Sequence, residues 1–191
     1  MAAGARLFDL DGTLWDSFAF YSAIVSRGGA ITAEAASAAL LDGENVVSLM
    51  RRLGLPRNTL SGSLARSSAV VVPHDGMVAV LHELRERGHP LAVVTSLPGT
   101  FAHRILQQLG LADLFPVVIH AGSRAGRKPN PQPILAALMG LAVSASQAHV
   151  YIGDTDVDLE AANRAGVRFA WASWGYGDMS TNAAVLLRAC V

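Results

Sequence analysis

The chain reads as an α/β protein: a parallel five-stranded sheet with a helical insertion after the first strand. Three observations carry that reading. Five short apolar runs, at residues 5–8, 91–94, 116–119, 149–152 and 167–172, lack polar alternation, as strands covered on both faces do. Between them, residues 76–87, 99–109, 131–141 and 156–165 bring apolar side chains round at helical spacing, with Gly88, Gly110 and Gly166 placed as C-terminal caps. Strands and helices alternating in this way predict crossover units and a Rossmann-like sheet. The third observation is a break in the alternation. From 17 to 73 no buried strand is legible, and Ala, Leu and Ser recur at roughly helical spacing.

Taken in order, the first strand runs straight into Asp9-Leu10-Asp11-Gly12-Thr13-Leu14, and the insertion follows it. Segments 31–41 and 44–53 are expected to be helices of the insertion, with Gly54-Leu55-Pro56 as a break. The expected organisation is a core of residues 1–16 and 74–191 with a helical domain at 17–73. An insertion that leaves after one strand and returns before the next is expected to project from the strand ends where open α/β sheets bind ligands, and so to act as a lid.

Composition excludes several classes. Fifteen basic residues balance fifteen acidic ones, so no global field draws the chain to nucleic acid or to an anionic membrane. The lone Cys190 cannot form an internal disulfide, which points to a reducing compartment. No apolar run approaches the ~18 residues of a membrane span, and the N-terminal residues lack the core of a secretion signal. The expected location is the cytoplasm, and the expected partner is a small molecule.

The chemistry concentrates at strand ends. Asp9 and Asp11 stand at i and i+2, on the same side of an extended chain, before a glycine that permits a sharp turn. Two carboxylates so close need a cation or a shared proton. A lone Asp-x-Asp is usually a turn; an apolar strand before it and Gly12-Thr13 after it argue for more. Gly153-Asp154-Thr155-Asp156-Val157-Asp158 puts three carboxylates into one helical turn, more than the N-cap that Asp154 alone would explain. Asp158 lies one turn from Asp154 on the same face, whereas Asp156 reads as solvent-facing. Lys128 is the only lysine beside fourteen arginines, a choice that suits a compact ammonium meeting one oxygen and a carboxylate. Thr95 reads by itself as a turn or cap hydroxyl.

Taken together and in order, Asp9-Leu10-Asp11-Gly12-Thr13-Leu14, Leu91-Ala92-Val93-Val94-Thr95-Ser96, Lys128-Pro129-Asn130-Pro131 and Gly153-Asp154-Thr155-Asp156-Val157-Asp158 resemble the four motifs of haloacid dehalogenase superfamily phosphatases with a helical C1-type cap, of the phosphoglycolate phosphatase-like branch. That resemblance implies a phosphohydrolase acting on a small phosphorylated metabolite. It makes Asp9 the nucleophile that forms an aspartyl-phosphate and Asp11 the acid and base. It gives Thr95 and Lys128 catalytic contacts with the phosphoryl group, with Gly12, Thr95, Ser96 and Lys128 binding substrate. It also implies Mg2+ held by the Asp9 side chain, the Asp11 carbonyl and the Asp154 side chain. Asp158 is a supporting residue expected to hold a metal-bound water or the Lys128 ammonium, and Lys128 is expected at the start of a helix.

The pattern has departures. Thr95-Ser96-Leu97-Pro98 stands where phosphoglycolate phosphatases commonly read Thr-Asn-Lys-Pro, which leaves the substrate open. The insertion offers Arg27, Arg51, Arg52, Arg57 and Arg66 but no His or Lys, which argues against the phosphomutase alternative. A dehalogenase needs no acid at Asp11, and a phosphate-binding regulator needs none of the catalytic positions filled. Trp15 and Trp174-Gly175-Tyr176-Gly177 are expected to pack in the core or at the pocket rim.

Overall fold

The computed structural model describes residues 3–27, 31–41, 46–56, 71–143 and 148–175. Five parallel strands, β1 (Arg6–Phe8), β2 (Leu91–Pro98), β3 (Val117–Ala121), β4 (Val150–Gly153) and β5 (Arg168–Trp171), lie in the order β3-β2-β1-β4-β5. The chain builds outward from β1 to one side and then returns to build β4 and β5 on the other. The order therefore reverses at β1 and β4, the place where open parallel sheets leave a crevice beyond their carboxyl ends. Phe8 is level with Val93 of β2 and Ile152 of β4, so the residues that follow β1 and β4 emerge side by side.

Seven helices are described: α1 (Ser17–Arg27), α2 (Ala33–Leu41), α3 (Val46–Arg52), α4 (Met77–Glu86), α5 (Gly99–Gln108), α6 (Gln132–Gly140) and α7 (Asp156–Ala165). Pleating turns Leu7, Ala92, Val94 and Tyr151 to one face, where they meet Ile134 and Ala137 of α6 and Ala161 and Ala162 of α7. Phe8 turns to the other face, where its ring meets Phe115 edge-on with centroids 6.0 Å apart. Burial on both faces explains why these strands read as unbroken apolar runs.

Two compact units result, one of residues 1–15 and 73–191 and one of residues 16–72. In the first, the outgoing and returning segments are tied together by a bridge between Trp15 and Pro73 and by a hydrogen bond from His74 N to Leu14 O at 3.2 Å. The second contains α1 to α3. Phe20, Tyr21, Ile24 and Val25 of α1 are buried, as are Ala36 of α2 and Leu49 and Met50 of α3. Thr32 caps α2 by accepting from Ala35 N at 3.2 Å, and Gly54 at φ 68° ends the turn after α3. Arg51 and Arg52 are exposed, whereas Glu44, Arg57, Arg66, Tyr176, Gly177 and Cys190 lie outside the described residues. No described helix is long and apolar enough to cross a membrane.

Two boundaries differ from the sequence reading. β2 does not stop at Val94 but continues to Pro98, because alternating burial persists: Thr95 and Leu97 point inward and Ser96 and Pro98 outward. Its pairing with β3 slips there, from Val94 opposite Ile119 to Pro98 opposite Ala121, so residues 95–97 bulge against His120. Lys128 is not at a helix start. It sits in a turn, and α6 begins only at Gln132.

Leu7 is fully buried between the central strands and both covering helices. Leu7→Ala should destabilise the fold by about 3 kcal/mol, measured by denaturant unfolding; a loss below about 1 kcal/mol would mean that the site's platform does not rest on this face.

Candidate active site

Local constraints shape the segment after β1. Asp9 N donates to Ile152 O of β4 at 2.8 Å, which keeps the chain against the sheet for one residue more. Gly12, at φ 71°, supplies the left-handed turn that the aspartates precede, and Leu14 N returns to Leu10 O at 3.0 Å. Side chains then lock the turn. The Trp15 indole, fully buried, donates to Asp11 Oδ1 at 3.0 Å. His74 Nε2 donates to Gly12 O at 3.0 Å, and Trp174 Nε1 donates to Thr13 O at 2.9 Å.

The end of β4 is shaped by close approach. A Cβ on Gly153 would fall 2.6 Å from Asp158 Cβ, and one on Gly175 would fall 2.5 Å from Asp154 Oδ2, so both carboxylates need a neighbour without a side chain. The N-cap of α7 is Thr155 and not Asp154. Thr155 Oγ1 accepts from Asp158 N at 3.3 Å while Asp158 Oδ2 accepts from Thr155 N at 3.2 Å, a reciprocal capping box. Asp154, freed from capping, is fully buried and accepts from Thr13 Oγ1 at 2.8 Å.

Lys128 joins the two ends. Its ammonium donates to Asp9 Oδ1 at 2.7 Å, to Asp158 Oδ1 at 2.5 Å and to the Tyr151 hydroxyl at 3.0 Å. Asp158 is then saturated: Oδ1 faces Lys128 and Tyr151 while Oδ2 faces Thr155 N and Thr155 Oγ1, about as many contacts as a carboxylate has lone pairs. Burial pushes Asp9 up to about 7; Lys128 pulls it down, while Asp158 and Asp154 add to the rise. Burial also works against the Lys128 charge, but Asp158 and then Asp9 outweigh it and hold the ammonium above the ordinary lysine range.

The structure thus brings Lys128 into direct contact with Asp9 and Asp158, and sets Asp154 within 4.8 Å of both carboxylates. The contact with the Lys128 ammonium, one of the two roles foreseen for Asp158, is made. Thr95 is buried and its hydroxyl accepts from Leu97 N at 3.1 Å, a turn role, while Ser96 is exposed and outside the cluster. Asp156 is exposed. Sequence reasoning did not single out Thr13 as a partner of Asp154, Trp15 as a donor to Asp11, His74, or Tyr151. The indole of Trp15 four residues after Asp11 was the one visible signal.

The carboxylates of Asp9, Asp154 and Asp158 offer oxygens within 4.8 Å of one another, all three buried. With Lys128 as the facing cation, three negative charges and one positive leave a net charge of −2, which a divalent ion would cancel. Because Asp158 is already saturated, the donors that suit such an ion are Asp9 and Asp154. Burial raises Asp9 to about 7, and a divalent ion beside it would oppose that rise.

Fold and site together define a hydrolase of one family: the chain belongs to the haloacid dehalogenase-like hydrolases, whose family model matches residues 58–172. Among curated relatives, the phosphoglycolate phosphatase of Xanthomonas campestris pv. campestris is 33% identical over 186 residues, 90% of this chain and 84% of the relative. That of Cereibacter sphaeroides is 31% identical over 188 residues, 89% of this chain and 85% of the relative. The crystal structure of a candidate phosphoglycolate phosphatase from Lactobacillus plantarum shares the fold, with a TM-score of 0.72 at 24% identity, covering 97% of this chain and 92% of that one.

The raised Asp9 makes a pH prediction for the metal. Below pH 7 Asp9 is protonated in the metal-free protein, and a metal must displace that proton. Affinity for a divalent ion should therefore fall about tenfold per pH unit below 7 and level off above it. Calorimetric titration between pH 5.5 and 8.5 measures this, and an affinity independent of pH would contradict it. The same proton makes metal-free stability fall as pH rises from about 4 to about 7, since the folded state holds the proton that the unfolded state has lost.

Proposed function

We propose that the chain is a phosphatase that hydrolyses a small phosphomonoester with Mg2+ bound, through a phosphorylated Asp9. The observation that supports this most is the Lys128 ammonium held on Asp9 Oδ1 at 2.7 Å, at the strand ends where Asp154 also lies buried.

In the proposed reaction an Asp9 carboxylate oxygen attacks phosphorus as the bond to the leaving oxygen breaks, and Asp11 gives its proton to the leaving alkoxide. Asp11, now a carboxylate, takes a proton from water; that water attacks the phosphorus, releases inorganic phosphate and restores Asp9. The Trp15 indole donates to Asp11 Oδ1 and so fixes the direction of that carboxyl. Lys128, with hydroxyl and backbone donors around Thr95, Ser96 and Gly12, neutralises the charge spread over the phosphoryl oxygens. The side chains of Asp9 and Asp154 and the carbonyl of Asp11 would hold Mg2+, which would add positive charge there and favour the ionised form of Asp9.

The proposed organisation is a catalytic core of 1–16 and 74–191 with a cap of 17–73 that selects substrate, working in the cytoplasm on a small phosphorylated metabolite. The relatives' names put phosphoglycolate first in a substrate panel that also holds phosphorylated sugars and nucleotides.

Hydrolysis should vanish in excess chelator and return with Mg2+; full activity without metal would contradict the proposal. Asp9→Asn should reduce activity to background. Asp11→Asn should slow an alkyl phosphate by roughly 10²-fold to 10⁴-fold and an activated aryl ester less in its transfer step. Equal losses on both esters in that step would remove the acid role from Asp11. Deleting 17–72 should spare the activated ester while flattening selectivity across the panel; undiminished selectivity would remove the cap role.

A further inference from the structure

Tyr151 stands apart among the residues around it. Its ring packs among buried apolar residues that include Leu7, Val94, Ile134 and Ala161, while its hydroxyl reaches the polar cluster at Asp158. A hydroxyl placed in an apolar layer is costly unless it is bonded, and phenylalanine would fill the same space without that cost. The hydroxyl of this fully buried residue meets three partners: Lys128 Nζ at 3.0 Å, Asp158 Oδ1 at 2.8 Å and Val94 O at 3.0 Å. It accepts from the ammonium and shares its one proton between the other two.

The ammonium does not sit over the ring. Its 5.7 Å distance to the ring centroid is close to the sum of the 3.0 Å hydrogen bond and the span from phenol oxygen to ring centre, so it lies end-on beyond the hydroxyl. An ammonium has three N–H groups, and here each has one acceptor: Asp9, Asp158 and Tyr151. On a flexible four-carbon stem, two contacts would leave the group free to swing about the line joining them. A third contact fixes it. The two carboxylate contacts, Asp158 Oδ1 at 2.5 Å and Asp9 Oδ1 at 2.7 Å, leave the third N–H for the Tyr151 hydroxyl.

We infer that Tyr151 is a positioning residue whose hydroxyl fixes the Lys128 ammonium on Asp9 and ties it to the main chain of β2 through Val94. The kinetic half of this inference rests on the phosphatase reading; the structural half does not. Because Lys128 is the only lysine, a 15N-lysine label gives one side-chain signal and amine modification has one lysine target.

The experiment compares wild type, Tyr151→Phe, Lys128→Met and the double variant. Wild type should show slow exchange of the Lys128 ammonium protons and slow modification. Tyr151→Phe should raise both rates at least about fivefold and lower kcat roughly 10-fold to 30-fold, with KM changed by less than about threefold. In the Lys128→Met background the Tyr151 change should add little, because its route is gone. Unchanged exchange and kcat in a folded Tyr151→Phe would overturn the inference, as would losses that multiply in the double variant, the mark of a purely structural role. Should Tyr151→Phe not fold, wild type alone decides: bulk-like exchange and ready modification overturn the inference, and protection supports it. Should wild type hydrolyse nothing in the panel, the phosphatase reading fails while the Lys128 exchange rates still judge Tyr151.

Discussion

One ammonium has to serve a buried acidic site. Asp9, Asp154 and Asp158 are all withdrawn from water, and taking even one carboxylate out of water costs several kcal/mol unless charge returns to it. Lys128 returns one positive charge and is shared between Asp9 and Asp158. Burial, with Asp158 and Asp154 adding to it, still raises Asp9 to about 7 against the pull of Lys128. In the proposed phosphatase, metal binding and the ionisation of Asp9 would be one electrostatic problem.

The fold serves that constraint. Asp9 and Asp154 meet because β1 and β4 are neighbours in register, and they do so at the place where the strand order reverses. Gly153 and Gly175 leave room for Asp158 and Asp154, and the Thr155 capping box turns Asp158 to face Lys128. Around the turn after β1, the donors from Trp15, His74 and Trp174 hold a side chain and two carbonyls. His74 follows directly on the bridge at Pro73, so the segment returning to the core helps to shape the turn that carries both aspartates.

Much of this was legible in the sequence because it is periodic or charged. Apolar runs without alternation mark buried parallel strands, and the aspartates stand out at their ends. What was not legible depends on contacts between distant segments. Tyr151 reads as one more strand residue until Lys128, 23 positions earlier, is placed against it. Thr13 gives no sign of Asp154, 141 positions away. The bulge that carries β2 past Val94 follows from the register with β3, which no local pattern encodes. Asp favours the cap position, but at this helix Thr155 fills it by closing a reciprocal pair with Asp158, which no reading of Asp154 by itself reveals.

We propose that Asp9, beside Lys128, becomes covalently phosphorylated. Rapid acid quench of Asp11→Asn protein with Mg2+ and an activated ester, followed by peptide mass spectrometry, addresses it directly, since loss of the water-activating base should let the intermediate accumulate. The account predicts a phosphoryl group on the peptide that carries Asp9, assigned to Asp9 by fragmentation and absent in Asp9→Asn. Phosphate on another residue, or none while the ester is still turned over, would contradict it.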